Sequence, residues 1–253
     1  SGDATLAVNA GLIEVYGYAG LRGFGTTHLQ ATLAADQGGL TRTNGELRFI
    51  GRTLSATSSN ISGGFYFDGE LTLQAGSIYT TTLSSFSVQG NEGGSTLRVK
   101  APDGGSTSSM PLSALGTLKL AAWNIELDGP LYQPFGRIDV DADNTLTLGT
   151  HAALSVSGDG LLVPVGSTIN GATWNYATAG TQAGVAEVGD AVQGLDALSL
   201  VKGITLTSDT LTLSKEARLD ASAGGDLQAW EFVSGVGGSS DVLNQAGYYA
   251  VLP

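Results

Sequence analysis

Cysteine is absent from the 253 residues. Disulfides, thiolate-held metals and cysteine nucleophiles are thereby excluded, although the absence assigns no compartment. Charge is scarce as well. Asp, Glu, Lys and Arg together make up 13% of the chain, about half the usual share for a soluble domain. Basic residues (11) are outnumbered by acidic ones (23), which leaves a formal net charge of −12. Such a surface repels a phosphate backbone or an anionic bilayer, and no Lys/Arg cluster offers a local exception. Nucleic acid and acidic lipid are not expected partners. The uncharged stretch 166–186 is full of Gly, Thr and Asn and cannot serve as a membrane span, so no membrane insertion is expected. The chain opens Ser1-Gly2 with neither Met nor a signal-peptide pattern. The expectation is a piece of a longer protein whose targeting segments lie elsewhere.

Glycine is abundant, at 38 residues, while Pro (6) and Met (1) are few, and the apolar share is 42%. With polarity supplied largely by Thr, Ser, Asn and Gln, this is the composition of a β-protein with many turns. Runs that alternate apolar and polar residues recur along the chain. Examples are Glu46-Leu47-Arg48-Phe49, Glu70-Leu71-Thr72-Leu73, Thr96-Leu97-Arg98-Val99, Thr117-Leu118-Lys119-Leu120, Arg137-Ile138-Asp139-Val140 and Thr210-Leu211-Thr212-Leu213. Alternation of this kind marks strands with one buried face. Leu47 to Leu71 is 24 residues, followed by 26 to Leu97, 21 to Leu118 and 20 to Ile138. Hairpins would return sooner. A period in the low twenties without intervening helices fits a coil built from several short strands.

The expected fold is therefore all-β: a right-handed parallel β-helix, or solenoid, with a lateral irregular excursion. Residues 1–164 should form coils, 165–203 an irregular excursion or loop, and 204–253 a continuation with terminal loops. A short helix over 191–201 is an open reading, because the apolar residues there are loosely spaced. One inward ladder should run Leu47, Leu71, Leu97, Leu118, Ile138. Its outward neighbours Arg48, Thr72, Arg98, Lys119 and Asp139 should bring Lys119 beside Asp139.

Several sequence words are distinctive in the second half of the chain. They include Ala122-Trp123-Asn124-Ile125-Glu126-Leu127-Asp128-Gly129, Pro134-Phe135-Gly136-Arg137-Ile138 and Leu154-Ser155-Val156-Ser157-Gly158-Asp159-Gly160. Further on come Val163-Pro164-Val165-Gly166, the run from Gly224-Gly225-Asp226 to Trp230-Glu231-Phe232-Val233, Gly235-Val236-Gly237-Gly238-Ser239, and the terminal Tyr249-Ala250-Val251-Leu252-Pro253. Together these resemble the filamentous haemagglutinin family of two-partner-secretion exoproteins. The resemblance implies a β-helical shaft segment of a secreted or bacterial cell-surface protein, exported through an outer-membrane secretion partner and used in adhesion, biofilm formation and virulence. It carries no catalytic residues to transfer.

The best chemical cluster is Asp139, Asp141 and Asp143, which share one side of a strand. A calcium site at Asp139 and Asp141 is one reading, since hard cations want several oxygens. Alternate side chains on a strand stand nearly 7 Å apart, which favours a solvated face instead. A β-helical polysaccharide lyase or hydrolase is the enzymatic alternative, with Lys119, Glu126, Arg137, Asp139 and Asp141 as candidates. An open strand face offers no enclosed carboxylate, so no enzyme and no cofactor are expected. His28 and His151, the two histidines, fit no nucleophile or metalloprotease pattern. Trp174 with Tyr176 offers aromatic faces for a host or matrix glycan, and Tyr16 with Tyr18 has the same strand spacing. Tyr248 with Tyr249 is a third pair, and packing is the competing role for all three.

Overall fold

The computed structural model describes residues 2–31, 45–53, 61–91, 93–103, 110–169, 173–175, 185–187, 202–231 and 233. Among these the chain is strand and turn, without helix. The strands begin β1 (Ala4–Ala10), β2 (Leu12–Tyr16), β3 (Tyr18–Leu21), β4 (Phe24–Ala31), β5 (Glu46–Ile50), β6 (Arg52–Thr53) and β7 (Ile61–Phe67). Next come β8 (Glu70–Ala75), β9 (Ser77–Thr80), β10 (Ser84–Gly90), β11 (Thr96–Lys100), β12 (Thr117–Asp128), β13 (Pro130–Tyr132) and β14 (Arg137–Leu148). The series ends with β15 (Ala153–Ser155), β16 (Leu162–Ile169), β17 (Thr173–Asn175), β18 (Val185–Glu187), β19 (Gly203–Leu213), β20 (Arg218–Asp220) and β21 (Asp226–Trp230).

Most pairings are parallel, and apart from β6 and a separate sheet of β18, β17, β16 and β21 the strands fall into three faces. The first face runs β1, β4, β8, β11 and then the second halves of β12, β14 and β19. The second face holds β2, β5 and β9, with β13, β15 and β20 as a separate group. The third face runs β3, β7, β10 and the first halves of β12, β14 and β19. The chain visits first, second and third face in that order, as in β4, β5, β7 and again in β8, β9, β10. Since β12, β14 and β19 each serve two faces, the curled sheet that joins the first and third has eleven strands. Among the described residues antiparallel pairing is confined to β6 with β7 and to β16, β17 and β18.

Alternation explains the core. On the first face Leu71, Leu97, Ile125 and Leu146 are neighbours in register, and all four are fully buried. Phe86, Leu118 and Ile138 form the matching ladder on the third face, beside Val88, Leu120 and Val140. Ile13, Leu47 and Ile78 do the same on the second. Burying each such side chain stabilises the fold by roughly 1.5–3 kcal/mol.

The single ladder expected from Leu47 to Ile138 is therefore corrected to three. Leu97 pairs with Ile125, not Leu118, and Leu47 lies on another face altogether. The physical reason is that the spacing between paired strands of one face varies, from Leu71 to Leu97, Leu97 to Ile125 and Ile125 to Leu146. The interval of 21 residues from Leu97 to Leu118 carries the chain only from the first face to the third. The expected outward neighbours Thr72 with Arg98, and Lys119 with Asp139, do stand in register.

Corners recur with the faces. Leu83, Leu115 and Phe135 all have left-handed backbone, with φ of 60°, 61° and 58°. They are linked to neighbouring segments by the same kind of backbone bond: Leu83 N–H donates to Ala114 O, Leu115 N–H to Pro134 O and Phe135 N–H to Val156 O. Left-handed backbone costs a non-glycine residue about 1–2 kcal/mol. That cost is offset by a second apolar cluster, in which Leu83, Leu115 and Phe135 pack with Val163 and Val165 of β16 and with Leu227 of β21. β16 and β21 pair in parallel. Within 165–203 the described residues comprise the end of β16, β17, β18, Lys202 and the first residue of β19. The segment 191–201 lies outside the described residues.

Candidate functional groove

The alternation in β12 breaks at Leu120-Ala121-Ala122-Trp123-Asn124, where the strand passes from the third face to the first. Between the pairs Ala122↔Ala142 and Asn124↔Thr145, β12 contributes only Trp123 while β14 contributes Asp143 and Asn144. This two-against-one arrangement is a bulge, a feature that re-aims side chains. Trp123 is left 40% exposed. The backbone around it is tied down: Trp123 N–H donates to Ser95 Oγ at 3.2 Å, and Asn124 Oδ1 accepts from Asn144 Nδ2 at 2.9 Å and Thr145 Oγ1 at 2.8 Å.

Trp123 borders an open polar groove of about 290 Å³, lined also by Gln89, Asn91, Lys119, Asp141 and Asp143. Asn91 is held by donating Nδ2–H to Asp68 Oδ1 at 3.0 Å. That bond, with a second from Gly23 N–H, holds the Asp68 carboxyl below its ordinary range. Lys119 Nζ stands 3.7 Å from Asp141 Oδ2, both side chains being about half exposed. Asp143 has no ion-pair partner among the described residues, so the lining retains one uncompensated carboxylate.

The calcium and enzyme candidates separate accordingly. Asp139 accepts from Arg137 Nε through both oxygens, at 2.7 and 2.8 Å, and Arg137 also donates to Thr205 Oγ1. The expected Lys119–Asp139 pair is thus corrected. They are in register, but Lys119 turns to Asp141 because Asp139 is already held by Arg137. Glu126 lies past the bulge on the first face, where Arg98 bridges it and Glu70 at 2.9 and 2.7 Å. Those two bonds outweigh the cost of burial and raise the Arg98 pKa. The five residues therefore do not converge on one site. No group of three or more His, Cys, Asp or Glu side chains arranged for a metal occurs among the described residues.

A second open groove, about 500 Å³, lies between the first and second faces and is lined by Gln74, Lys100, Asp103, Asp128 and His151. His151 faces Asp128, with its backbone N–H donating to Oδ1 at 2.7 Å and ring Nδ1 at 3.2 Å from Oδ2. His28 is exposed on β4, between Ala7 and Thr72 in the sheet.

The aromatic candidates divide differently. Trp174 sits at the middle of β17, opposite Thr168 and Ala186. Its side chain, Tyr176, Tyr248 and Tyr249 lie outside the described residues. Tyr16 and Tyr18 do not share a strand, as their spacing suggested. Gly17, with φ of 64°, turns the corner between β2 and β3. The Tyr18 ring carries Arg52 5.7 Å from its centroid. Trp123 stood in the sequence only as part of a familiar word. The usable signal was the Ala121-Ala122 break in alternation directly before it.

No family model, curated protein or solved structure matches this chain. The likeness to filamentous haemagglutinins rests on the sequence words alone.

Proposed function

We propose that this chain is a right-handed parallel β-helical shaft segment of a large secreted bacterial surface exoprotein, serving adhesion or biofilm formation rather than catalysis. The supporting observation is the in-register repetition of inward residues on each face across successive turns, as in Leu71–Leu97–Ile125–Leu146. Every backbone turn of such a stack hydrogen-bonds only to the turns above and below it, so stiffness accumulates along one axis. The next rung, Leu211, Leu213 and Leu219, continues the inner ladders while remaining 45%, 51% and 48% exposed. A repeating stack whose apolar rung is still open is suited to further turns. In this reading the parent protein uses an outer-membrane secretion partner, and the shaft presents its corners and loops to a host or matrix glycan.

Small-angle scattering on the isolated chain tests the shape, for which a rod-like cross-section is expected. A compact, near-spherical envelope would refute the shaft. Deleting the segment from its parent should reduce surface adhesion or biofilm mass, and unchanged adhesion would refute the role. Turnover of any substrate in a polysaccharide screen would refute the non-catalytic reading.

A further inference from the structure

We propose that the groove beside Trp123 is a subsite for a saccharide that carries no acidic groups, either a neutral or an amino-bearing hexopyranose. Nothing in this inference requires the shaft reading; it stands on the groove alone.

A pyranose ring presents an apolar C–H face and an equatorial rim of hydroxyls. Recognition therefore calls for one flat aromatic surface beside fixed hydrogen-bonding groups. The bulge supplies the first by holding Trp123 outward at the margin of the groove. Gln89, Asn91, Asp141 and Asp143 supply the second, from β10, the turn after it and β14. These elements are rigid: β10 pairs with β12 through five consecutive residues, and β12 with β14 on both sides of the bulge. Such a site pays little ordering entropy when a ligand arrives.

The bland alternative is that Trp123 merely covers the corner. A covering role predicts a largely buried indole, because aromatics stabilise through the area they remove from water. Here the residue is 40% exposed, while its neighbours Ala122 and Ile125 seal the interior.

Charge then selects among sugars. Lys119 is matched by Asp141, and Asp143 remains, so the lining is net negative. The chain as a whole carries −12, which adds a repulsive long-range field toward uronates and sulfated glycans. A neutral ring meets no such penalty, and an amino sugar gains a carboxylate.

Titration calorimetry on the folded chain tests this, using cellohexaose and chitohexaose as neutral probes, a chitosan hexamer as the amino probe, and oligogalacturonate and a heparin hexasaccharide as anionic ones. A neutral or amino probe should bind, with Trp123→Ala weakening it at least tenfold and Trp123→Phe, which keeps a ring, weakening it less. Asp143→Asn should leave the neutral probe within about twofold and lower the preference for the chitosan hexamer. Circular dichroism and thermal melting establish that each variant is folded. Should Trp123→Ala misfold, Trp123→Phe together with Asp143→Asn decides the matter, since a shift in probe preference on Asp143→Asn requires ligand in the groove. Three results overturn the proposal: no neutral or amino probe binds at millimolar concentration, the anionic probes bind more tightly, or binding is lost on Trp174→Ala and retained on Trp123→Ala.

Discussion

A methyl group added at Gly136 should be far more damaging than one added at its neighbour Gly203. A Cβ built on Gly136 would stand 2.0 Å from the carbonyl oxygen of Gly116 and 2.9 Å from its nitrogen. Both are backbone atoms, so no side chain can swing aside. The same carbonyl accepts the hydrogen bond from Arg137 N–H at 2.9 Å, which holds the start of β14 against the start of β12. Relieving the overlap means parting the two paired strands by roughly an ångström, enough to forfeit much of the local dispersion energy. Overpacking of this kind costs about 1–3 kcal/mol, and a weakened backbone hydrogen bond adds about 1 kcal/mol. Gly136→Ala should therefore lose about 2–4 kcal/mol, equivalent to a fall in Tm of about 4–16 °C for a chain of this size. Gly203 pairs with Arg137, and its N–H donates to Gly136 O at 3.2 Å, yet a Cβ there meets nothing within 4 Å and its φ is ordinary. Gly203→Ala should be neutral or stabilising by about 0.4–1 kcal/mol through the unfolded chain. Equilibrium denaturation followed by circular dichroism compares the two. Variants that agree within about 0.5 kcal/mol would refute the claim that the approach of β14 to β12 is set by this glycine contact.

Two further outcomes follow from the core and its rim. Leu120→Ala, between Val88 and Val140 in the middle of the third-face ladder, should cost about 2–5 kcal/mol, whereas Leu213→Ala on the open rung should cost under about 1 kcal/mol; chemical denaturation gives both values. Tyr79 is pushed up to about 12, chiefly by burial and then by the charge of Glu46, to which its hydroxyl donates at 3.0 Å. Because the folded value is raised, the unfolded chain releases this proton first. The stabilisation is complete below about pH 10, the ordinary tyrosine value, and is lost as pH rises toward 12. Ultraviolet titration should show a late-ionising tyrosine component that diminishes in Tyr79→Phe, and this variant should lose stability less steeply over the same window.

Some of this was legible before any coordinates. Alternation in Thr96-Leu97-Arg98-Val99 and Arg137-Ile138-Asp139-Val140 correctly marked strands and assigned each side chain inward or outward, because a strand has no other way to bury one face. The absence of hairpin spacing pointed to parallel neighbours. Register was less accessible. Leu97 and Leu118 look equivalent in sequence, but which face a strand joins depends on how many residues the intervening corner consumes. The same blindness grouped Glu126 with Lys119 among the candidates for one enzymatic site, when a bulge opposite Trp123 separates them.

Composition and local pattern thus determined on their own that the chain is all-β, rich in turns, acidic, free of cysteine chemistry and built on one-sided strands. Those properties belong to residues and their immediate neighbours. Tertiary structure alone decided that three ladders replace one, that Arg137 claims Asp139 and leaves Lys119 to Asp141, and that an indole is turned outward onto a polar groove. The ladders, the Lys119–Asp141 pair and the groove depend on contacts between residues twenty or more positions apart, whereas Arg137 and Asp139 are alternate residues of one strand. Corner length and bulge position set those contacts, and no periodicity within a strand encodes them.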